Sequence, residues 1–410
     1  MLMQPAIVDR IEDMYVKHQA DPYPVYREWR DKGPVVVDAD GKVIVLGHDD
    51  AKAALADPAV SVDPRDSRWY QQRAAAGEVS AEEEQRYADA PFIELNPPEH
   101  TRHRLLVGQA FAAHAARAAE PTAQVVDALL DRLAGGTGCD VVREYAYATP
   151  IRVLCALFGI ADEDDRQRVQ DWSHFISRSM DPSNPVDPAE VDRVSGELRG
   201  YLERLVDARA AEPGNDVVSA MLASRSGDQR LTRAEVVNGL WLLVVSGHET
   251  TSSLIASGLY SLLTEPALAD RMRAEPEKMP GLVDELLRLT PLVQCLWRHV
   301  KRDTTLPSGA RLRAGDSMVI VLAQANRDPE RFTDPDRLDP DRTEQHLSFG
   351  AGPHYCLGAT LGRLQANLAL SAFLRRVEAP ELAVEPPGTP RALGGLTSLP
   401  IRYERVLPAG

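Results

Sequence analysis

A single cysteine ahead of a predicted helix is the residue in this chain best suited to bind a metal. Residues 349–358 read Phe-Gly-Ala-Gly-Pro-His-Tyr-Cys-Leu-Gly. Cys356 therefore lies where the positive end of a helix and its free N–H groups stabilise a thiolate. No second cysteine or histidine stands at the spacing of a structural zinc site. A lone thiolate fits haem, whose porphyrin supplies four ligands itself.

The alternative is a buried structural cysteine ahead of a glycine-capped helix. The combined pattern Phe-x-x-Gly-x-x-x-Cys-x-Gly, which begins at Phe349, favours the haem ligand. Its glycines would allow a tight turn and the close approach of a flat ligand to the backbone: Gly350, Gly352 and Gly358. The remaining cysteines have no partner at ligand spacing and are predicted to be packed thiols: Cys139, Cys155 and Cys295.

Three further motifs carry polar groups at helical spacing. The segment 246–251, Ser-Gly-His-Glu-Thr-Thr, places hydroxyls inside a long apolar run, where a kinked helix with hydroxyls bonded to its own carbonyls would suffice. Glu285 and Arg288 can pair on a helix surface for a few tenths of a kcal/mol. His100 and Arg104 share one helical face, which could simply be solvated.

Helices are predicted to position these motifs. Apolar residues recur every three or four positions in 122–133 and 197–211, as expected of amphipathic helices. Thr232 and Glu235 form a capping box at the start of 233–264. That segment is apolar nearly all round, so we expect a long helix that runs buried through the core.

Strand-like segments are short and lie far apart, so any sheet is small and built by distant pairing: 35–37, 43–46, 318–322 and 400–403. The polar stretch 63–90 is predicted to be a long loop or lid, and 181–188 a break between two helices. No shift in composition marks a domain boundary. The fold class is therefore mainly α with small β-sheets, in a single domain over residues 1–410.

Composition excludes several classes of protein. The 410 residues are 44% hydrophobic, too apolar for disorder, and a formal charge of −15 argues against binding nucleic acid. No apolar run approaches the ~20 residues of a membrane span. Four cysteines in so long a chain do not make a disulfide framework. We expect a cytoplasmic protein that binds neither nucleic acid nor membrane.

Taken in order along the chain, these motifs resemble those of the cytochrome P-450 superfamily, in particular its soluble bacterial type. The resemblance includes Pro-Pro-x-His-x-x-x-Arg at 97–104, Asn-Arg-Asp-Pro at 326–329 and Phe-Thr-Asp-Pro at 332–335. It implies one haem-thiolate domain with a long buried central helix, haem b (iron protoporphyrin IX) as cofactor, and Cys356 as the iron ligand. Other cofactor-binding residues would be Phe349, Gly350, Gly358, His100, Arg104, Arg298 and His354.

The resemblance also assigns roles to the remaining motifs. Segment 246–251 would be the oxygen-binding groove, with catalytic residues Gly247, Glu249 and Thr250, the last two as an acid–alcohol pair that relays protons. The pair of Glu285 and Arg288 would be buried and would hold a third basic group, Arg337, as a scaffold for the haem loop. A mostly apolar substrate pocket would be lined by Trp69, Phe92, Leu240, Val244, Leu292, Val293, Cys295, Leu296 and Thr397.

The implied reaction inserts one atom of dioxygen into a small hydrophobic substrate, by hydroxylation or epoxidation, in bacterial natural-product biosynthesis. The chain has no nucleotide-binding glycine motif, so electrons would come from a ferredoxin and its NAD(P)H-dependent reductase. Candidate docking residues are Arg102, His103, Arg117 and Arg363. One alternative is a phenol-coupling or peroxide-driven haem-thiolate oxidase. The other is a catalytically silent haem sensor or a module that docks an acyl- or peptidyl-carrier protein.

The assignment of Cys356 predicts a spectrum. The reduced protein under carbon monoxide should show the red-shifted Soret band of thiolate-ligated haem, and Cys356→Ser should lose it because a hydroxyl is not an anionic sulfur donor. The matched control Cys139→Ser should keep the band. Survival of the shifted band in Cys356→Ser would contradict the assignment.

Overall fold

A computed structural model describes residues 6–409 except 89, 181–183, 185, 387 and 390–394. The predicted break at 181–188 therefore lies partly outside the described residues. As predicted, helices make up most of the regular structure. The α-helices are α1 (Met14–Lys17), α2 (Tyr23–Lys32), α3 (His48–Ala56), α4 (Arg68–Ala75), α5 (Ala81–Ala88), α6 (Glu99–Ala115), α7 (Ala119–Leu133), α8 (Ala148–Leu157), α9 (Glu163–Ser179), α10 (Pro188–Ala211), α11 (Val217–Ala223), α12 (Arg233–Thr264), α13 (Pro266–Ala274), α14 (Met279–Leu289), α15 (Leu322–Ala325) and α16 (Ala359–Arg376).

The strands are short. They are β1 (Ile7–Val8), β2 (Val35–Asp38), β3 (Val43–Val45), β4 (Val60–Ser61), β5 (Gly138–Asp140), β6 (Cys295–Val300), β7 (Thr304–Thr305), β8 (Arg311–Leu312), β9 (Ser317–Val321), β10 (Val377–Glu378), β11 (Glu381–Leu382), β12 (Pro400–Arg402) and β13 (Arg405–Val406). One six-stranded sheet has the order β1-β2-β3-β9-β6-β4. The small sheets are β10-β13, β11-β12-β5 and β7-β8.

Pairing between distant strands is confirmed. In the six-stranded sheet β3 lies parallel to β9, with Val43 opposite Met318 and Ile44 opposite Val319. Strand β6 pairs antiparallel with β9 on its other side. The predicted segments 35–37, 43–46, 318–322 and 400–403 coincide, within a residue or so at each end, with β2, β3, β9 and β12.

The chain forms two compact units, each discontinuous in sequence. The first comprises Met1–Arg104, Val293–Arg337 and Thr343–Leu357, and the second comprises Leu105–Leu292, Leu338–Arg342 and Gly358–Gly410. Because each unit draws on three stretches, no shift in composition could mark a boundary. The first unit has a core around its six-stranded sheet that includes Val45, Leu55, Met318 and Ile320. The core of the second unit includes Leu130, Leu259, Leu286 and Phe373.

The long buried helix has the predicted bounds, because its N-terminal signal is unambiguous. The Thr232 side chain accepts a hydrogen bond from the Glu235 N–H over 3.2 Å, and the Glu235 carboxylate accepts one from the Thr232 N–H over 2.8 Å. Helix α12 follows, buried on most sides, and packs against α8, α9, α10 and α16 within the second unit. Among the helices of the described residues, none combines the length and the apolar character needed to cross a membrane.

The prediction of a long loop over 63–90 is wrong, because helices α4 and α5 lie within it. Ser67 caps α4 by accepting a hydrogen bond from the Tyr70 N–H over 3.1 Å. Arg73 of α4 pairs with Glu83 of α5 over 2.9 Å. These helices are held by caps and ion pairs and bury few apolar side chains, so they lack the apolar stripe by which a helix is recognised in sequence.

Candidate active site

Cys356 follows a turn whose backbone bonds hold it in place. Its N–H donates to the Phe349 carbonyl over 2.8 Å, and the Gly350 N–H donates to the Leu347 carbonyl over 2.7 Å. Helix α16 begins three residues after Cys356, as the sequence predicts. The local chain thus presents the cysteine just ahead of a helix N-terminus, where a thiolate is stabilised.

Two glycines of the turn are required by geometry. Gly350 and Gly352 have φ of 70° and 68°, in the left-handed region that favours glycine. A Cβ at Gly352 would also lie 2.5 Å from the Leu55 carbonyl oxygen. Gly358 differs, because its φ of −85° is open to any residue.

The amide of Asn326 braces the chain just before this turn. Its oxygen accepts the Leu347 N–H over 2.7 Å, and its Nδ2 donates to the Ser348 Oγ over 2.8 Å. Asn326 is fully buried. The Asn-Arg-Asp-Pro run was noted in the sequence, but nothing there showed that Asn326 would clamp a loop more than twenty residues later.

Burial separates Cys356 from the other cysteines. All four are described and none forms a disulfide: Cys356 is exposed, Cys155 is buried, and Cys139 and Cys295 are half-buried. Burial raises the pKa of each of these three other thiols to about 12, so they stay protonated at neutral pH. The Sγ of Cys295 lies 3.8 Å from the Tyr26 hydroxyl of α2, and its place in the substrate pocket stays a prediction.

The first unit gathers the four basic residues predicted to bind haem carboxylates. The rings of His100 and His354 lie 4.1 Å apart between centroids, and the charges of Arg104 and Arg298 act on His354. His100 is 2% exposed, and neither of its ring nitrogens has a hydrogen-bond partner among the residues that the structure describes. Among the described residues, no carboxylate forms an ion pair with any of the four.

Burial dominates the electrostatics of this basic cluster. It lowers the pKa of His100 to about 4 and that of His354 to about 3, with the neighbouring positive groups adding to the effect. Burial also lowers the pKa of Arg298 to about 10. Partly buried cations without an anionic partner cost several kcal/mol, and a bound dicarboxylate would offset that cost. The donor set therefore fits the two propionates of a haem.

The polar turn of α12 is regular rather than kinked. The Ser246 Oγ donates to the Leu242 carbonyl over 2.5 Å, and the Thr250 Oγ1 donates to the Ser246 carbonyl over 2.9 Å. Both hydroxyls are thus bonded to carbonyls of their own helix, which is the purely structural role that the sequence also allowed. A Cβ at Gly247 would lie 3.2 Å from the Leu154 side chain of α8, so this glycine is explained by helix packing.

Glu249 faces helix α9. Its Oε1 accepts a hydrogen bond from His174 Nδ1 over 2.5 Å, and its side chain is 12% exposed. The adjacent His248 is fully buried, with Nδ1 3.1 Å from the Ser173 Oγ and Nε2 3.1 Å from the Tyr147 carbonyl. Burial lowers the pKa of His248, which keeps that ring neutral. A carboxylate held by an imidazole is a group that can take up and release a proton.

The buried scaffold is present, with one correction. Arg288 binds Glu285 through Nε and Nη2 over 2.6 and 2.8 Å, and the Asp339 N–H donates to the same carboxylate over 2.9 Å. The third basic group is Arg342, whose Nε lies 3.1 Å from Glu285 Oε1. Arg337, predicted for this position, is exposed. The chain path between Arg337 and Arg342 brings the later arginine to the carboxylate.

The residues predicted to line the substrate pocket lie in different environments. Leu240 and Val244 are buried in α12. Phe92 is buried with its ring 6.3 Å from that of His100. Leu296 packs against the sheet core of the first unit, and Leu292 is half-buried. Three are exposed: Trp69, which carries Arg73 over its ring at 4.7 Å, Val293 and Thr397. Their assembly into one pocket stays a prediction.

Sequence reasoning missed three residues of these sites. Arg342 could have been found, since it also precedes the haem loop and differs from Arg337 only in position. Asn326 stands in a run that was noted without a role. His174 carried no signal, because a single histidine on an amphipathic helix has no distinctive spacing.

The family model described as cytochrome P-450 matches residues 11–404. The chain belongs to the cytochrome P-450 family. It is 37% identical over 408 residues to the cytochrome P-450 monooxygenase PikC of Streptomyces venezuelae, covering 95% of this chain and 93% of PikC. It is 32% identical over 395 residues to 6-deoxyerythronolide B hydroxylase of Saccharopolyspora erythraea, covering 94% and 96%. The solved structure of CxnD, for C–S bond formation in chuangxinmycin biosynthesis, has a TM-score of 0.83 at 28% identity and covers 100% of both chains.

This cytochrome P-450 is an oxidoreductase of the monooxygenase class, and its cofactor is haem b with a cysteine thiolate ligand. The residues present fit that group on three observations. Cys356 is exposed at the end of a glycine turn, and within the part of the chain that the structure describes the buried His100 nitrogens have no hydrogen-bond partner and no carboxylate pairs with the basic cluster. Cys356 would hold the iron, and His100, Arg104, Arg298 and His354 would hold the propionates.

The scaffold around Glu285 makes a testable distinction between two arginines. Glu285→Ala strands the buried Arg288 charge, which costs about 3–5 kcal/mol, and we expect purified protein with little haem. Arg342→Met should also lower haem content and the midpoint of urea unfolding. Arg337→Met is the matched control and should leave both unchanged. Equal losses in the two arginine variants, or normal haem content in Glu285→Ala, would contradict this assignment.

Proposed function

We propose that this cytochrome P-450 hydroxylates or epoxidises a hydrophobic natural product, using dioxygen and electrons from a ferredoxin. The observation that carries the proposal is the pair Glu249 and Thr250 on the turn of α12, in a chain that also presents an exposed Cys356. Peroxide-driven members of the family lack the acid–alcohol pair and have an arginine at that place. The two named relatives, a monooxygenase and a hydroxylase, support oxygen insertion.

Haem, when bound, supplies the reductive activation of dioxygen, and the thiolate of Cys356 favours O–O cleavage. The protein supplies protons and exclusion of water. Glu249 is held almost out of solvent by His174 and can act as a proton carrier. The Thr250 hydroxyl, 2.9 Å from the Ser246 carbonyl, can rotate to donate elsewhere at the cost of one modest hydrogen bond.

Apolar side chains support a hydrophobic substrate. On α12, Val244 comes about one and a half turns and Leu240 about two and a half turns before Glu249, and Phe92 packs near His100. One relative is a 6-deoxyerythronolide B hydroxylase and another, CxnD, forms a C–S bond in chuangxinmycin biosynthesis, which favours natural-product tailoring here. A carrier-bound acyl or peptidyl group is a second form in which such a substrate could arrive.

Electron delivery requires local positive charge on a protein of net charge −15. Arg363 donates to Asp284 over 2.7 Å, and Arg102 contacts His103, so both keep a fixed direction. These residues, with Arg117, stay our candidates for docking a ferredoxin reduced by an NAD(P)H-dependent reductase. A cytoplasmic location stays a prediction from the composition and from four cysteines that make no disulfide framework.

The proposal is tested by reconstitution. Substrates are first found by type I difference spectra on a library of free and carrier-bound hydrophobic compounds. Ferredoxin, reductase and NAD(P)H should then yield a product that incorporates one atom of ¹⁸O₂, and hydrogen peroxide alone should not support comparable turnover. Efficient peroxide turnover without ferredoxin would favour the peroxide-driven oxidase. Tight binding with no product under either condition would favour a sensor or docking module.

Thr250→Ala should uncouple the enzyme. The variant keeps its reduced carbonyl spectrum, but we expect product per NAD(P)H to fall about tenfold or more, with hydrogen peroxide as the new product, because proton delivery loses its hydroxyl. Thr250→Ser retains that hydroxyl and should retain most of the coupling. Unchanged coupling in Thr250→Ala would remove this residue from the mechanism.

A further inference from the structure

Helix α9 contacts the polar turn of α12 through a row of side chains. The Ser173 Oγ donates to the Val244 carbonyl over 3.3 Å, and the Ser177 Oγ donates to the Val245 carbonyl over 3.3 Å. Between these two serines stands His174, bonded to Glu249. The acid of the acid–alcohol pair is therefore reached from a second helix, all within the second unit.

His174 connects a buried acid to solvent. The Glu249 side chain is 12% exposed, whereas that of His174 is 42% exposed. The Nδ1 of His174 lies 2.5 Å from Glu249 Oε1, and its ring packs 5.1 Å from that of Tyr147. The imidazole thus has one nitrogen on the carboxylate while much of its surface faces water.

The other groups near Glu249 are less suited to carry protons. His248 is fully buried, and both of its ring nitrogens are occupied by Ser173 and the Tyr147 carbonyl. Burial raises the pKa of Tyr147, and the Glu249 charge raises it further, so the phenol holds its proton. His174 is the imidazole that both contacts the Glu249 carboxylate and is open to solvent.

We propose that His174 is a positioning residue that orients Glu249 and passes solvent protons to it. This inference rests on the proposed role of Glu249. It goes beyond that role by naming the point at which protons enter the chain and by making α9 part of the proton path.

The transfer is a single balanced proton step. The Nδ1–H bond of the imidazolium breaks as an O–H bond forms on Glu249 Oε1, which leaves a neutral ring and a neutral carboxylic acid. The half-exposed ring then turns about its Cβ–Cγ bond and takes a proton from water at the free nitrogen. No oxidant or reductant is involved, and Glu249 returns to its ionised form when it gives up the proton.

Variants at His174 separate orientation from proton transfer. His174→Gln keeps an N–H that can bond to Glu249 but cannot carry a proton, whereas His174→Phe does neither. In the reconstituted holoenzyme, we expect both to slow product formation at least about tenfold and to enlarge its solvent deuterium isotope effect. Ser177→Ala removes a neighbouring α9–α12 bond and serves as the control, with wild-type rate and isotope effect.

A readout without turnover tests the pairing itself. In the diamagnetic reduced carbonyl complex, ¹⁵N-histidine NMR should show a His174 resonance, identified by its loss in His174→Gln, that shifts in Glu249→Gln. An unshifted resonance would overturn the pairing. In turnover, the double variant of His174→Gln and Glu249→Gln should be no slower than the slower single variant, because both act on one path.

The outcomes distinguish the two hypotheses. Full activity in His174→Gln with loss in His174→Phe would show that the residue only orients Glu249, and would overturn the proton transfer. Wild-type behaviour of both His174 variants beside a slow Glu249→Gln would overturn the inference alone. Wild-type behaviour of Glu249→Gln would overturn the proposed role of Glu249, and the inference with it.

Discussion

Positive charge held out of water without a protein counterion is the constraint on which the cofactor site depends. Arg104 and Arg298 lie partly buried beside His100 and His354, and no carboxylate of the described residues pairs with them. Removing an ion from water costs several kcal/mol. The two histidines limit that cost by staying neutral, since burial drives their pKa values to about 4 and about 3. The anionic edge of a bound haem would offset that cost.

Two other charged clusters, around Glu285 and Glu249, are compensated by the chain itself. Glu285 is matched by Arg288 and Arg342 and by a backbone N–H, so every charge in that cluster has a partner at short range. Glu249 is matched by His174. A fully paired cluster is suited to hold a loop in one geometry, because breaking any single contact strands a buried charge. Charged groups that pair within the chain maintain the fold, whereas those of the basic cluster are suited to bind an anionic ligand.

Much of the fold followed from local pattern. Helix α12 was predicted to its end residues because a capping box marks its start and the segment that follows is apolar nearly all round as far as Thr264. The four predicted strand segments correspond to β2, β3, β9 and β12, whereas the six-residue β6 was not predicted. Helices α4 and α5 were missed because ion pairs and a serine cap stabilise them, and such contacts leave no apolar stripe in the sequence.

By itself the sequence determined the chemistry: a thiolate ahead of a helix, a glycine-rich turn before it, and an acid beside an alcohol on a buried helix. Tertiary structure alone decided which charges meet. Arg342 rather than Arg337 contacts Glu285. Cys295 lies beside Tyr26, and His174 bonds to Glu249. Local motifs depend on neighbours along the chain, whereas an ion pair between distant residues depends on the path of the backbone between them, which spacing does not encode.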